Sequence, residues 1–189
     1  MSENKRPLDW LRDGRFILYR VIASQTKLDL WVLPMFGDRK PAPLLNTPFN
    51  ELWARFSPDG KLIAYTSDES GREEVYIQPF PPSGAKWQIS TAGGTEPRWR
   101  GDGKELFFIS AIPSGDGKMM AVSIKGTSTS ETGVPQELFT VQRELGTDNA
   151  NRYSVSADGL RFLINNPQDD VGFQQQFVAL VNWTASLKR

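Results

Sequence analysis

The sequence predicts an all-β chain: a β-propeller, or a portion of one, built from four blade-like repeats of mostly four antiparallel strands. Three observations carry this. An Asp-Gly pair recurs at Asp13-Gly14, Asp59-Gly60, Asp102-Gly103 and Asp158-Gly159, spaced 46, 43 and 56 residues apart. Apolar residues hold fixed places around each pair: Trp10, Phe56, Trp99 or Val155 three before the Asp, then Ile17, Ile63, Leu106 or Phe162 four after. Tyr19, Tyr65, Phe108 or Ile164 follows two residues later, and a step of two puts both side chains on one face of a strand. Helical apolar spacing is absent, while 16 Gly and 13 Pro punctuate the chain. A repeat of roughly 40–45 residues with strand signals is one propeller blade.

Each element follows from this frame. Asp-Gly between two strands makes a tight hairpin, because Gly takes φ > 0 without steric cost. In the first blade the strands are expected at 8–10, 15–21, 29–33 and 44–45. In the second they are expected at 52–56, 61–67, 74–79 and 86–90, and in the third at 97–99, 105–110, 118–124 and 135–140. The fourth shows three, at 152–155, 160–165 and 177–182, followed by a polar stub from Trp183 to Arg189. One propeller unit thus covers residues 1–189, with blades over about 8–50, 51–95, 96–150 and 151–189. The residues three before each Asp, Trp10 and Trp99 included, are expected to be buried between blades.

Composition narrows the function. Basic and acidic residues balance at 22 each, so neither a nucleic-acid footprint nor polybasic membrane attraction is expected. No run reaches the ~20 apolar residues of a spanning helix, so no direct membrane insertion is expected. Residues Met1 to Pro7 are polar and carry no signal-peptide core. The compartment stays open. There is no cysteine and no histidine, which removes thiolate chemistry, the commonest general base and the commonest transition-metal ligand. No cofactor and no metal site are expected.

Candidate sites are weighed against ordinary structural roles. The four Asp residues could gather to hold calcium, but turn chemistry explains them. Ser67 to Gly71 offers oxygens without the spacing of a calcium loop. Glu73-Glu74 and Asp169-Asp170 are strand neighbours pointing to opposite faces, unlike a glycosidase pair that must flank one bond. Ser83 and Lys86 match a Ser-x-x-Lys spacing, but beside Pro81-Pro82 and Gly84 they lie in a turn, not on a helix. No catalytic residue is assigned. The start of each inner strand is more informative, because in a propeller it lines the mouth of the central channel. Those residues are Arg6, Glu51, Glu96 and Asn151 or Arg152, and Glu51 and Glu96 are expected to affect binding and not stability.

Several segments resemble a known family. They are Phe56-Ser-Pro-Asp-Gly-Lys61, Tyr65-Thr-Ser-Asp68, Glu74-Val-Tyr-Ile-Gln-Pro-Phe80, Asp29-Leu-Trp-Val-Leu-Pro34 and Gly93-Gly-Thr-Glu-Pro-Arg-Trp99. With Gly101-Asp-Gly-Lys-Glu-Leu-Phe107, Arg152-Tyr-Ser-Val-Ser-Ala-Asp-Gly159 and Val181-Asn-Trp-Thr-Ala-Ser-Leu-Lys188 they form an ordered set. This set resembles the TolB-like, WD-type propeller repeats, and specifically the C-terminal propeller of bacterial transmembrane serine/threonine protein kinases. The kinase motifs, the membrane helix and the earlier blades of that family are not in this sequence. The resemblance therefore implies the last part of such a propeller: a non-catalytic, ligand- or protein-binding sensory module whose parent would be extracytoplasmic.

Its partner would be an unidentified protein or small molecule. The alternatives are a propeller hydrolase or lyase using channel carboxylates, the gating propeller of a serine peptidase, and a bare assembly unit. The unfinished fourth blade predicts a homo-oligomer joined through open blade edges, with two chains completing an eight-blade ring as the simplest solution.

Overall fold

A computed structural model describes residues 4–23, 27–111, 117–125, 132–141, 152–166 and 176–181. Among these there is no helix, only four antiparallel sheets that follow one another along the chain. The first comprises β1 (Lys5–Trp10), β2 (Phe16–Ala23), β3 (Lys27–Pro34) and β4 (Ala42–Leu45). The second comprises β5 (Glu51–Phe56), β6 (Leu62–Ser67), β7 (Glu74–Pro79) and β8 (Trp87–Gln88). The third comprises β9 (Thr95–Trp99), β10 (Glu105–Ala111), β11 (Gly117–Ser123) and β12 (Gln136–Val141). The fourth has β13 (Tyr153–Val155), β14 (Arg161–Asn166) and β15 (Gln176–Val181). Each sheet is a meander in chain order, which is the architecture of four propeller blades.

The Asp-Gly hairpins are built alike. In the second blade Ser57 N–H donates to Leu62 C=O, and Gly60 N–H donates to Ser57 C=O at 2.9 Å. Gly60 has φ +72°, and a Cβ there would meet Leu11 Cδ1 of the first blade at 2.9 Å, so both conformation and space require glycine. Asp59 Oδ1 accepts the Lys61 N–H, and Asp13, Asp102 and Asp158 each accept the N–H two residues on in the same way. The recurrent Asp is therefore an acceptor inside its own turn.

Packing between blades supplies the core. Ile63 and Tyr65 face back onto Leu18, Leu30 and Val32 of the first blade. Leu106 and Phe108 face back onto Leu62, Ala64 and Ile77, and Phe162 and Ile164 onto Phe107, Ile109 and Met119. The step of two read from the sequence is thus the face each blade turns toward its predecessor.

Two expectations are corrected. Trp99 is buried, and its indole Nε1 donates to Arg55 C=O of the preceding blade at 3.2 Å, but Trp10 is 60% exposed. Among the described residues no blade precedes the first, so Trp10 has no such carbonyl to cap and donates instead to its own turn, to Gly14 C=O at 3.1 Å. The fourth strand of the second blade is two residues long, not five. Beyond Gln88 the Ser90 hydroxyl takes the Val75 N–H at 2.8 Å, replacing a ladder bond with a side-chain bond. The stub after Val181 lies outside the described residues.

Trp99→Ala is expected to cost about 3–5 kcal/mol, the range for a large aromatic truncated in a core. Trp10→Ala should stay within about 0.5 kcal/mol, as for surface changes. Chemical denaturation of the two variants side by side checks this; equal losses would contradict the interblade role of Trp99.

Candidate functional site

The inner strands β1, β5, β9 and β13 carry the candidate site. Four residues before the Asp of each Asp-Gly stand Asp9, Arg55, Arg98 and Ser154. All four line one depression of about 280 Å³, together with Trp10, Phe56, Trp99 and Val155 from the next position and Arg12 from the first turn. Equivalent offsets reach the same depth because successive blades present equivalent strands to a common centre.

Local distortions aim these side chains. The register skips one residue between Pro7 and Asp9 in β1, between Leu52 and Arg55 in β5, and between Thr95 and Arg98 in β9. Trp53 and Glu96, at the same repeat position, have φ of 55° and 56°. Left-handed backbone at non-glycine residues is strained, and a bulge redirects the side chains that follow it. Here the residues that follow are the two arginines of the depression.

Neighbouring blades hold the charges in place. Asp9 Oδ2 accepts the Phe56 N–H of the second blade at 2.8 Å, and Oδ1 accepts the Trp10 N–H at 3.0 Å. Burial raises the Asp9 pKa, and the Phe56 N–H and Arg55 only partly offset it. Arg55 Nη1 donates to Leu8 C=O and to Ala54 C=O, the latter at 3.2 Å. Burial pushes its guanidinium down to about 10, with Arg98 adding to the shift, yet it stays charged at neutral pH. Arg98 Nη1 donates to Pro97 C=O at 2.9 Å, and its guanidinium lies 5.4 Å from the Tyr153 ring centre. The lining therefore holds three guanidiniums, Arg12, Arg55 and Arg98, against one carboxylate.

The expected mouth residues fall into two groups. Glu96 and Arg152 are brought together: Arg152 Nε lies 2.6 Å from Glu96 Oε1, and Arg152 N–H donates to Oε2 at 3.1 Å. Tyr153 O–H donates to the Glu96 carbonyl at 2.8 Å, so this cluster joins the third and fourth blades behind the depression. Glu51 lies elsewhere, beside Thr47, whose hydroxyl donates to it. Burial lifts the Glu51 pKa to about 7; the Thr47 bond opposes this, and Asp29, Asp68 and Glu69 add to it. Arg6 is half-buried in β1, opposite Arg20. Asn151 lies outside the described residues. None of the four that are described lines the depression. Glu51 and Glu96 are 1% and 0% exposed, so replacing either reaches stability, contrary to the expectation of surface charges.

The residues missed by sequence reasoning are Asp9, Arg55, Arg98 and Ser154. Their signal was present as a fixed offset from the Asp-Gly pair, three of the four being charged within strands otherwise rich in aromatics. The remaining motifs take structural roles. Glu74 is buried and accepts from Arg72 Nε at 2.7 Å and Gly93 N–H at 2.9 Å, while its neighbour Glu73 is exposed. Lys86 pairs with Glu69 and not with Ser83. Asp68 of the 67–71 loop accepts from the Asn50 N–H at 2.8 Å and from its side-chain amide at 2.7 Å. Asp169-Asp170 lie outside the described residues.

No protein-family model matches the chain, and no curated protein matches it in sequence. Solved structures do match. TolB from Acinetobacter baumannii superposes with a TM-score of 0.71 at 18% identity, over 95% of this chain and 41% of that one. The propeller domain of the trilobed protease from Pyrococcus furiosus gives 0.58 at 13%, over 94% and 53%. An oligogalacturonate lyase in complex with manganese gives 0.61 at 11%, over 85% and 46%. The fold is that of a TolB-like β-propeller, and the chain spans about two-fifths to one-half of these structures.

Glu51 generates a pH prediction. Its folded pKa lies above the unfolded carboxylate value, so the folded state binds the extra proton and stability falls as pH rises from about 4.5 to about 7. At 1.36 kcal/mol per pH unit, discounted for solvent screening, the loss is about 1–2 kcal/mol. Glu51→Gln should remove that slope. Thermal melts at pH 5 and pH 8 check it, and a variant with the wild-type slope would contradict the assignment.

Proposed function

We propose that this chain is a non-catalytic, ligand-binding propeller module whose site is the depression at the inner strands. One observation carries the reading: each of the four repeats contributes the same inner-strand position, Asp9, Arg55, Arg98 or Ser154, to one concavity. The acidic groups there are tied to the scaffold, Asp9 by two backbone N–H bonds and Glu96 by Arg152. That supports binding over acid–base chemistry, which needs a carboxylate free to exchange its proton with substrate. Glu96 and Arg152 frame it by holding β9 to β13, and Arg6, Glu51 and Asn151 stay in the proposal as further binding residues near the starts of inner strands.

The repeat motifs extend the proposal to context: the sensory end of a bacterial receptor-like serine/threonine kinase, on the extracytoplasmic side. Among the described residues no helix is long and apolar enough to cross a membrane, so the anchor would lie elsewhere in the parent.

A thermal-shift screen of small acids, sugars and short peptides, followed by mapping of the amide signals that move, tests the site. The expected result is a cluster of changes at Asp9, Arg55, Arg98 and Ser154. Changes confined to the outer strands, or turnover in a glycosidase and lyase panel, would overturn the reading.

Association is proposed through blade edges. The fourth blade has three strands among the described residues, and Leu160 and Leu163 are 39% and 48% exposed on it. Light scattering over a dilution series should show a homo-oligomer that dissociates. A clean monomer at every concentration would refute this.

A further inference from the structure

We propose that the crossover from the first blade to the second is a proton-sensitive latch, closed while the Glu51 carboxyl is protonated and loosened when that proton leaves. The latch lies at the start of β5, apart from the depression, and does not rest on the binding reading. Three features lead to it.

First, little holds the crossover down. Residues 46–50 join β4 to β5 outside any strand. Asn50 N–H donates to Asp68 Oδ1 at 2.8 Å and its side-chain amide to Oδ2 at 2.7 Å, and Asp68 N–H returns a bond to Asn50 C=O at 3.4 Å. Phe49 N–H donates to Thr47 Oγ1 at 3.2 Å, and the Thr47 hydroxyl donates to Glu51. The segment is thus clasped at two points, Asp68 and Glu51, each a carboxyl group.

Second, the Glu51 clasp is closed off from water. The residue is 1% exposed, and its Oε2 is enclosed without a hydrogen-bond partner among the described residues. A carboxylate with an unpaired oxygen away from water is costly, and a carboxylic acid far less so.

Third, the neighbouring charge is of one sign. The charges acting most strongly on Glu51 are Asp29 of β3 and Asp68 and Glu69 of the turn after β6. Burial is the largest cause lifting its pKa to about 7; the Thr47 bond opposes this and the three acids add to it. The cations of the second blade are taken up nearby, Lys86 by Glu69 and Arg72 by Glu74. Burial keeps Tyr65 of β6 un-ionised. On β9, Glu96 pairs with Arg152 and Arg98 lies against the Tyr153 ring. On β1 and β2, Lys5 and Arg6 stand opposite Val21 and Arg20, and Asp9 takes the Phe56 N–H; Lys27 of β3 is exposed.

Loss of the Glu51 proton therefore places a second negative charge beside Asp68, with Asn50 between them. Moving the crossover outward hydrates Glu51 and separates the two. Local opening caps the stability lost at Glu51, so the crossover yields before the blades do.

The test is amide hydrogen exchange of the full chain at pH 5 and pH 8, corrected for intrinsic rate and read by NMR. Protection at Phe49 and Asn50 should fall about tenfold or more from pH 5 to pH 8, beyond any fall at Phe107 and Ile109 in the third blade. Glu51→Gln can accept the Thr47 bond but cannot ionise, so its crossover should stay protected at both pH values. An equal fall at all four amides would show general destabilisation and overturn the latch. A crossover indifferent to pH in the wild type, or the wild-type fall retained in Glu51→Gln, would overturn it as well.

Should Glu51→Gln not fold, the wild-type side chains decide. The Asn50 side-chain amide signals should move together with the Glu51 carboxyl carbon, through one midpoint near neutral pH. Separate midpoints, or a Glu51 midpoint in the ordinary carboxylate range, would overturn the proposal.

Discussion

Everything in this molecule depends on one contact repeated down the chain: each blade leans its inner strand and its Asp-Gly turn on the blade before it. Phe56 N–H reaches Asp9, the Trp99 indole reaches the Arg55 carbonyl, and Tyr153 O–H reaches the Glu96 carbonyl. Apolar faces close the gap behind these bonds, with Tyr65, Phe107, Phe108 and Phe162 fully buried. A lone four-stranded meander has two faces and can cover neither by itself. Stacking in sequence gives the faces between successive blades a partner, so the stability of one blade belongs largely to its neighbours.

That dependence explains why strain is tolerated where it is. Trp53 and Glu96 hold left-handed backbone in the middle of inner strands, a conformation that costs on the order of 1–3 kcal/mol each. Both are buried. The bulges they create are what turn Arg55 and Arg98 toward the centre. The same contact that stabilises successive blades therefore sets the geometry of the depression.

Charge follows the same logic. The carboxylates near the centre serve as acceptors for neighbouring blades: Asp9 for Phe56, Glu96 for Arg152. The guanidiniums of Arg55 and Arg98 lean on backbone carbonyls and lie in the field of Asp9 and Glu96. The acids near the depression thus serve as joints between blades. It is a different arrangement from a ring of exposed acids and bases, and it came from packing and not from the count of charges, which balances over the chain.

The all-β class, the four blades, the turn positions and the face each blade turns back were legible in the sequence. They depend on local rules: a period of two, a glycine at φ > 0, an Asp accepting a bond two residues on. The site was legible only as an offset without a meaning. Whether Arg55 and Arg98 reach the depression depends on the bulges at Trp53 and Glu96, because a bulge moves every following residue to the opposite face.

The contrast between Trp10 and Trp99 shows the boundary. Both hold one repeat position, and the sequence alone determined that each belongs on the inner strand beside its turn. Only the tertiary structure decided that one caps a neighbour's carbonyl and the other stands open to the centre, because burial is a property of what lies across a contact and not of the residue that makes it.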